Sequence, residues 1–525
     1  MKKFNKKEKN IVIIVGIVSF LFLISFTFIN YYGTKGMEML SLANLDEYYQ
    51  YIKVAEMISS DGSMLNYDYF YYGYPFFLIS ALAILPIKIF QYITHIDFNN
   101  IAANIFILRQ LGTILTLSAF LILIYMWTKF KYLWLSILLL IFLTISAPII
   151  TLNSWWHPDN LSFLFIILTI FFLYQDSLKF KKYFYLAAIS CGLATGTKLL
   201  GVFFVLTIPM YLIYGIIKKK ITFKKAIFLG IVFITIKFIT IFLSNPLLLT
   251  RDGFNKYYSI HVNQAKNLDQ GWITKGSKST WLIVLKSFGS YFSYIIALGA
   301  VIYGTIQKKD FKFKLLSLLT ISWILPYALY LYFIVDMIRW MYALPIIIPL
   351  LASLGFVFNN LFKKKNNSKR KIDYLIAIIL IAIFIFQIPI IKNGINRYVD
   401  RLYWEERNPG IQFFNKFNNK VLFKDNRELV IFHNWGMYLP KLSNIKIEQK
   451  NGPFNYIDLE EIQPDYFLLE KRIVNTYYNE NSSKQLISPD NQNMIFYKDV
   501  VNNEVSGYQN IMEDEYGMAF SKNPN

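Results

Sequence analysis

Apolar runs of about twenty residues, the length that an α-helix needs to cross a bilayer, recur between residues 11 and 391. Short polar segments separate these runs from one another. The pattern predicts eleven membrane-spanning helices: 11–29, 104–127, 133–150, 161–175, 183–198, 199–217, 226–243, 281–306, 315–334, 342–362 and 372–391. Residues 1–391 are therefore predicted to form an all-α polytopic membrane bundle.

After residue 391 the pattern changes to short apolar runs within a polar segment. Runs with a β-strand pattern are 421–423, 429–433, 445–448, 466–470 and 494–497, and a helical pattern covers 408–417. We predict a small mixed α/β domain over 392–525, with the residues that end in SKNPN frayed.

The distribution of lysine and arginine predicts how the bundle is oriented. Basic residues gather in short segments next to the apolar runs, as they do in loops on the cytoplasmic side of a membrane. These segments are the N-terminus, Lys129 and Lys131, 179–182, 218–225, 308–314 and 363–371.

The apolar run 74–93 is predicted not to cross the membrane. If it crossed, every later basic loop would lie outside, against the charge bias. It contains Pro75, Pro86 and Lys88 and has polar residues at both ends, which is typical of a juxtamembrane re-entrant helix. The prediction is a multi-pass protein of the plasma membrane with its N-terminus inside and residues 392–525 outside.

Composition mainly excludes classes of protein. Of the 525 residues, 55% are hydrophobic, which is too many for an ordinary soluble protein. The net charge of +21 follows the positions of the loops, so membrane lipid rather than nucleic acid is the expected partner. Cys191 is the single cysteine, which excludes an intrachain disulfide.

Carboxylates in two predicted outer loops are the first candidate catalytic residues. Asp46 and Glu47 follow the first span, and Asp159 lies in the loop TLNSWWHPDN with His157. One carboxylate would take a proton from an acceptor, while a second would position the acceptor or a divalent cation such as Mg²⁺ or Mn²⁺. Asp46 and Asp159 are the candidate metal ligands. The alternative for both acids is a structural role at the start of a helix.

Basic residues on the same predicted face are candidates for binding phosphate. Lys198 lies where two spans meet, and Arg339 lies in a very short loop before an apolar run. Their alternatives are contact with lipid headgroups and anchoring in an aromatic belt. Arg251 and His261 belong to a long basic loop that suits an anionic headgroup or acceptor.

The ordered set DE, YYGYP, HPDN, GTKLLG, NPLLL and RWMYALPIIIPLLASL resembles the GT-C glycosyltransferases. Within them it is most similar to the protein O-mannosyltransferase and aminoarabinose-transferase branch. The resemblance covers residues 11–391, and the PDYFLL run extends it to the small outward domain of such proteins. It departs from the family in having 72–75 where a Lys-Pro-Pro run is common, and in lacking the acceptor-binding domain of protein O-mannosyltransferases.

The resemblance implies transfer of a sugar, with inversion, from an undecaprenyl or other polyprenyl phosphate to an acceptor on the outer face. The acceptor would be a glycan, a lipid or a protein. Asp46 would be the base or an acid that binds the acceptor, with Glu47 beside it and Asp159 as the second acid. Lys198 and Arg339 would hold the donor phosphate, helped by His261 and Arg251, and the expected substrate contacts are His157, Tyr72, Tyr74 and Trp156.

Two other functions stay open from the sequence. A polymerase or ligase of lipid-linked glycans also works on the outer face and relies on arginine and histidine in outer loops. A flippase or transporter would also be polytopic, but it usually shows paired repeats and broken helices near the midplane. The sequence shows no such repeat.

Overall fold

The computed structural model describes residues 6–59, 62–65, 67–68, 70–95, 100–270, 280–307, 310–335, 339–361, 370–420, 428–434, 436–442, 445–450, 452–478 and 491–523. The helices of the first 402 residues are α1 Lys6–Asn30, α2 Met37–Ala43, α3 Leu45–Met57, α4 Tyr74–Thr94, α5 Asn100–Thr128, α6 Leu133–Thr144, α7 Ala147–Asn153, α8 Pro158–Asp176, α9 Lys182–Lys198, α10 Thr207–Ile217, α11 Phe223–Leu243, α12 Arg251–Gln270, α13 Thr280–Phe288, α14 Tyr291–Ile306, α15 Phe311–Phe333, α16 Trp340–Ala352, α17 Leu354–Leu361 and α18 Arg370–Leu402. Short 3₁₀ turns precede α10 at Leu200–Val205 and α12 at Pro246–Leu249.

The prediction of a helical membrane bundle is confirmed. Within the described ranges, 8 helices are long and apolar enough to cross a membrane, or up to 10 if each of two bent helix pairs counts as one span. Helices also occupy the two remaining predicted spans, at α9 and in the first part of α18.

Two predicted straight spans are bent. Helices α6 and α7 within 133–150 meet at 78°, and α13 and α14 within 281–306 meet at 84°. Pro148 sits in the first turn of α7, where a residue without an N–H starts a new helix but cannot continue the old one. At the second bend the Ser290 side chain accepts from the Ser293 N–H and so starts α14 afresh.

Helix α4 coincides with the predicted re-entrant helix. It begins with Pro75 in its first turn, contains Pro86 and ends at His95 in the left-handed conformation. The helix has 21 residues and contains an 18-residue window with a mean hydropathy of 1.9, so length and composition alone would also allow it to span a membrane. The re-entrant placement therefore stays a prediction from charge bias.

Helix α8 lies at the centre of the bundle, against α5, α9 and α15. Phe163, Ile166, Ile167 and Ile170 are fully buried on it, at the spacing that places side chains on one helical face. We call the segment between α1 and α5 the first loop. A second core joins α3 and α4 of this loop to Trp156, just before α8 begins. The first loop is therefore packed onto one end of the bundle.

The tail is a small α/β domain, as predicted. Its sheet has the order β2-β1-β3-β5-β4, with β1 parallel to β2 and β3, and β5 antiparallel to β3 and β4. The strands are β1 Leu429–Asn434, β2 Ile445–Lys450, β3 Tyr466–Glu470, β4 Tyr508–Glu513 and β5 Gly517–Lys522. The helices are α19 Trp404–Arg407, α20 Pro409–Lys420, α21 Tyr456–Ile462, α22 Lys471–Tyr478 and α23 Asn491–Asn502.

Two predictions for the tail were wrong. The run 494–497 belongs to α23, because Phe496, Tyr497 and Val500 are buried together on one helical face. The C-terminal residues do not fray over 508–522, since β5 pairs with the central strand β3 and β4 pairs with β5. The predicted strand 421–423 lies outside the described residues.

The bundle and the tail are joined by one long helix. Helix α18 continues past residue 391 to Leu402. Just beyond it, Glu405 accepts from the Gly33 N–H at 3.2 Å and from Lys35 Nζ at 2.6 Å. These contacts hold the start of the tail against the segment that leaves α1.

Candidate active site

The start of α8 holds a buried acid and two basic partners. Asp159 is 4% exposed and forms an ion pair with Lys198, the last residue of α9. Nδ1 of His157 lies 2.7 Å from Oδ2 of Asp159, and the Asp159 amide approaches the same nitrogen at 3.4 Å. The Asp159 N–H donates to Nδ1, whereas Oδ2 is a close polar neighbour of the ring without a hydrogen bond among the described residues.

A hydroxyl continues this chain of contacts. The Tyr72 hydroxyl lies 2.9 Å from Nε2 of His157, which accepts the bond when Nδ1 carries the proton. The His157 ring packs against Trp155 at 4.2 Å between ring centroids. Asp159, His157 and Tyr72 therefore form one connected chain of polar contacts.

Tyr342 in the first turn of α16 is the centre on which separate loops converge. Its hydroxyl is within electrostatic range of Arg339, Asp159 and Asp46. Lys198 Nζ lies 5.6 Å from the centroid of the Tyr342 ring. We call Asp46, Asp159, Lys198, Arg339 and Tyr342 the Tyr342 cluster.

The two adjacent acids of α3 have different surroundings. The Asn44 side chain caps the helix by accepting from the Asp46 N–H at 3.0 Å and the Glu47 N–H at 3.4 Å. The Asp46 side chain is partly exposed, whereas Glu47 is fully buried. Among the described residues, no hydrogen bond or ion pair involves the Asp46 carboxylate.

Glu47 has all of its strong contacts inside the protein. Arg109 on α5 donates to it through Nε at 2.8 Å and through Nη2 at 2.7 Å. The Trp156 N–H donates to the same carboxylate at 3.0 Å. Glu47 thus joins α3, α5 and the HPDN loop, and both of its oxygens are engaged.

Sequence reasoning missed Arg109. Its Nη1 also donates to the main-chain oxygens of Asn30 at 3.1 Å and Tyr32 at 2.7 Å, so one guanidinium connects α5 to the end of α1. A lone arginine inside the apolar run 104–127 was the signal, because such a charge needs a partner within the bundle. Tyr342 was missed as well, since an aromatic residue at a membrane boundary is common.

Trp156 and Tyr74, which were predicted to contact the substrate, stabilise the loops that carry the site. The Trp156 ring is buried, stacks on Phe76 at 4.7 Å and donates from Nε1 to Ser80 Oγ at 3.1 Å. The Tyr74 N–H donates to the Asn245 side chain at 2.8 Å. Both residues fix the backbone of the loops that carry Tyr72 and His157.

Two glycines allow the loops to meet. The Gly73 N–H donates to the Thr197 carbonyl at 3.0 Å. A Cβ atom at Gly73 would lie 1.5 Å from the Gly196 carbonyl oxygen, so any side chain there would force the backbones apart. The close approach brings Tyr72 beside Lys198, whose Nζ is 5.9 Å from the Tyr72 ring centroid.

The last two predicted phosphate ligands lie on α12. Arg251 is exposed at the first residue of the helix, and His261 packs against the Tyr257 ring at 4.2 Å. Tyr257 itself packs on the core of the first loop. No described contact brings Arg251 or His261 to the Tyr342 cluster.

The described residues contain no group of three or more His, Cys, Asp or Glu side chains placed to hold a metal ion. Asp159 forms an ion pair with Lys198, and this cation competes with a metal ion for its oxygens. Asp46 and Asp159 as metal ligands stay a prediction.

No family model and no curated protein matches the chain. Among solved structures it is similar to ArnT from Cupriavidus metallidurans bound to undecaprenyl phosphate, with a TM-score of 0.47 and 9% identity over 98% of this chain and 99% of that one. The apo state of the same protein matches with a TM-score of 0.46 and 9% identity, over 91% of this chain and 94% of that one. An Archaeoglobus fulgidus oligosaccharyltransferase tethered with an acceptor peptide matches with a TM-score of 0.45 and 11% identity, over 91% of this chain and 70% of that one.

Proposed function

We propose that this chain is a membrane glycosyltransferase. It would move one sugar from a polyprenyl phosphate to an acceptor hydroxyl on the outer face of the membrane, with inversion. The observation that supports the proposal is the Tyr342 cluster, in which two cations and two carboxylates from four separate elements lie at one end of the bundle. Charged groups beside an apolar bundle are expensive to hold, and they commonly mark a functional site.

The two cations suit the phosphate of the donor. Arg339 precedes α16, and its side chain makes no hydrogen bond among the described residues, so its guanidinium is available for a bidentate contact. Lys198 is 18% exposed and held by Asp159, which leaves an edge of its ammonium open to a second anion. Together they would neutralise the charge that develops on the departing lipid phosphate.

Asp46 is the acid best placed to act as the general base. Its carboxylate is partly exposed, whereas both oxygens of Glu47 are occupied and Asp159 is paired with Lys198 and His157. A base must be able to reach the acceptor hydroxyl and take its proton. We therefore assign Glu47 and Asp159 to positioning, Glu47 through Arg109 and Asp159 through Lys198.

The reaction balances with these groups. The acceptor oxygen attacks the anomeric carbon and its proton passes to Asp46, while the bond from that carbon to the phosphate oxygen breaks. The lipid phosphate leaves with the bonding electrons, and its charge is held by Lys198 and Arg339. A phosphate that is already ionised needs no general acid.

The test is consumption of donor by purified full-length protein. A panel of radiolabelled undecaprenyl-phosphate sugars is supplied with a mixture of acceptors, and release of the free carrier is measured. Loss of a general base lowers turnover by roughly 10²-fold or more, so Asp46→Asn should be nearly inactive. Its melting temperature should match the wild type, because no described hydrogen bond to its carboxylate is lost.

Asp68→Asn is the matched control. Asp68 is a second acid of the first loop, is 57% exposed and pairs with Lys53 at the surface. It should retain full turnover. Normal turnover by Asp46→Asn would overturn the assignment of the base. Protection of a labelled lipid from outside probes, without consumption of any donor, would favour the flippase alternative and overturn the proposed function.

A further inference from the structure

A cavity lies at the other end of α8 and α9 from the Tyr342 cluster. Its volume is about 640 Å³, and its polar lining residues are Gln175, Ser177, Lys179, Tyr183, Lys218, Lys220 and Lys312. Helix α8 carries Asp159 at its start and leads to Ser177 at its end, a distance of about 27 Å at 1.5 Å per residue. The cavity is therefore separate from the proposed active site, and its argument does not depend on the proposed function.

The lining is strongly basic, and its charge is not neutralised by the protein. Among the described residues, none of the four lysines that line the cavity forms an ion pair with a carboxylate. The nearby Asp176 accepts instead from the Phe180 N–H at 2.8 Å, the Lys181 N–H at 2.9 Å and the Tyr211 hydroxyl at 2.6 Å. Its oxygens hold the loop together and form no ion pair with the lining lysines, although Asp176 lies within electrostatic range of Lys312.

Lys312 is fixed toward the cavity wall. Its Nζ donates to the Tyr174 carbonyl at 2.8 Å and to Ser177 Oγ, and it lies 4.6 Å from the Tyr174 ring centroid. Lys129 Nζ lies 4.0 Å from the centroid of the same ring. Burial and the neighbouring charge of Lys312 lower the pKa of Lys129 to about 7, so positive charge is crowded here.

A crowded and unneutralised group of lysines around a cavity favours an anion. We propose that this cavity is a phosphate-binding site, which takes the phosphate of an anionic lipid headgroup or of a soluble phosphate compound. Lysines near a membrane surface attract anionic headgroups, and basic pockets between helices bind them specifically. The volume is larger than one phosphate needs, and the Tyr183 and Phe311 rings supply apolar walls for the group attached to it.

The experiment compares two pairs of lysines in adjacent segments. Lys218→Gln/Lys220→Gln removes two charges from the cavity lining. Lys224→Gln/Lys225→Gln removes two charges from exposed positions at the start of α11 that do not line it. Full-length protein in detergent is titrated with phosphatidylglycerol, with phosphatidylcholine, and with inorganic phosphate against chloride at equal ionic strength. The shift of the melting temperature is recorded in each titration.

For wild type we expect the melting temperature to rise with phosphatidylglycerol or with inorganic phosphate, but not with phosphatidylcholine or chloride. The cavity pair should need about ten times more of the active compound for the same shift, since each surface lysine contributes several-fold to such binding. The control pair should respond as wild type does. A response to inorganic phosphate identifies a soluble source, and a response to phosphatidylglycerol alone identifies a lipid.

Equal responses of the two variant pairs, whether both are weakened or both are unchanged, would overturn the proposal. So would equal shifts with phosphatidylglycerol and phosphatidylcholine when inorganic phosphate has no effect. If the cavity pair does not fold, the single variant Lys179→Gln replaces it, because Lys179 is exposed and its side chain makes no described hydrogen bond. That variant should need several-fold more ligand, and an unchanged titration curve would count against the site.

Discussion

Two buried acid–base pairs lie near the same end of the bundle and differ in how completely they are satisfied. Glu47 and Arg109 are 0% and 1% exposed, and their hydrogen bonds all go to each other or to main-chain groups. Asp159 is equally buried, but its partner Lys198 is 18% exposed and lies between two aromatic rings. The first pair is closed, and the second is open on one side.

The difference separates structural charge from charge available for chemistry. A buried pair is tolerated when further hydrogen bonds satisfy its remaining donors and acceptors, as in the Glu47–Arg109 pair. An ammonium with an open edge can exchange part of its contact for a ligand, as Lys198 can. The same end of the molecule therefore contains one pair that holds the loops and one that is suited to receive an anion.

The largest expected effect comes from breaking the closed pair. Arg109→Met leaves Glu47 as an uncompensated buried charge and frees the main-chain oxygens of Asn30 and Tyr32. We expect a loss of about 3–5 kcal/mol in the free energy of unfolding, measured by denaturant unfolding of the purified protein. The double variant Glu47→Gln/Arg109→Met should recover most of this loss. A single variant as stable as wild type would show that the pair is not structural.

Another buried titratable group lies in the tail, and the described residues place no counter-charge beside it. His433 on β1 is 4% exposed, its Nδ1 lies 2.9 Å from the Asn434 carbonyl oxygen, and burial lowers its pKa from 6.5 to about 4. Above pH 6.5 both folded and unfolded states hold it neutral. Below that pH the unfolded state gains a proton that the folded state does not take up until about pH 4, so stability falls as the pH falls through this window.

We expect the free energy of unfolding of the tail to fall by roughly 2 kcal/mol from pH 6.5 to pH 5 because of His433. The measurement is the denaturant midpoint for proteolytic cleavage of the tail in full-length protein at the two pH values. His433→Gln should have a smaller pH dependence, because glutamine does not titrate. The same pH dependence in both proteins would assign the effect to other groups.

The smallest effect is expected at the open side of the Tyr342 cluster. Arg339→Gln removes a charge that makes no described hydrogen bond to protein, so the melting temperature should stay unchanged. The donor concentration for half-maximal turnover should rise about tenfold, because the variant loses one charge-assisted hydrogen bond to the donor. Arg407→Gln is the control, since Arg407 is 57% exposed and pairs with Asp400 at the surface. If the melting temperature falls while the donor concentration for half-maximal turnover stays the same, Arg339 has a structural role and does not bind the donor.

The sequence identified four of the five residues of the Tyr342 cluster as candidates, but it did not predict Tyr342 or the geometry of the cluster. Asp46, Asp159, Lys198 and Arg339 were each identified as polar residues at the ends of apolar runs. The different surroundings of Asp46 and Glu47 were not predictable, because neighbours on a helix point about 100° apart and the pattern does not say which one faces the bundle. The partner of Glu47 lies 62 positions away, and only packing brings it there.

The apolar pattern predicted the bundle because span length and loop charge are strong local signals. It failed for the tail at Met494–Tyr497, since four residues of mixed pattern fit a strand or one turn of helix equally well. It also failed at β4 and β5, whose pairing depends on β3 about fifty residues earlier in the chain. Local residues determine element type reliably only where the apolar pattern is long.

The contact between Gly73 and Gly196 has a consequence for motion. The two backbones touch without any side chain between them, so neither segment has rotamers that would let it adjust alone. Separation of α4 from the end of α9 would break the hydrogen bond between the Gly73 N–H and the Thr197 carbonyl, so we expect these two segments to move together.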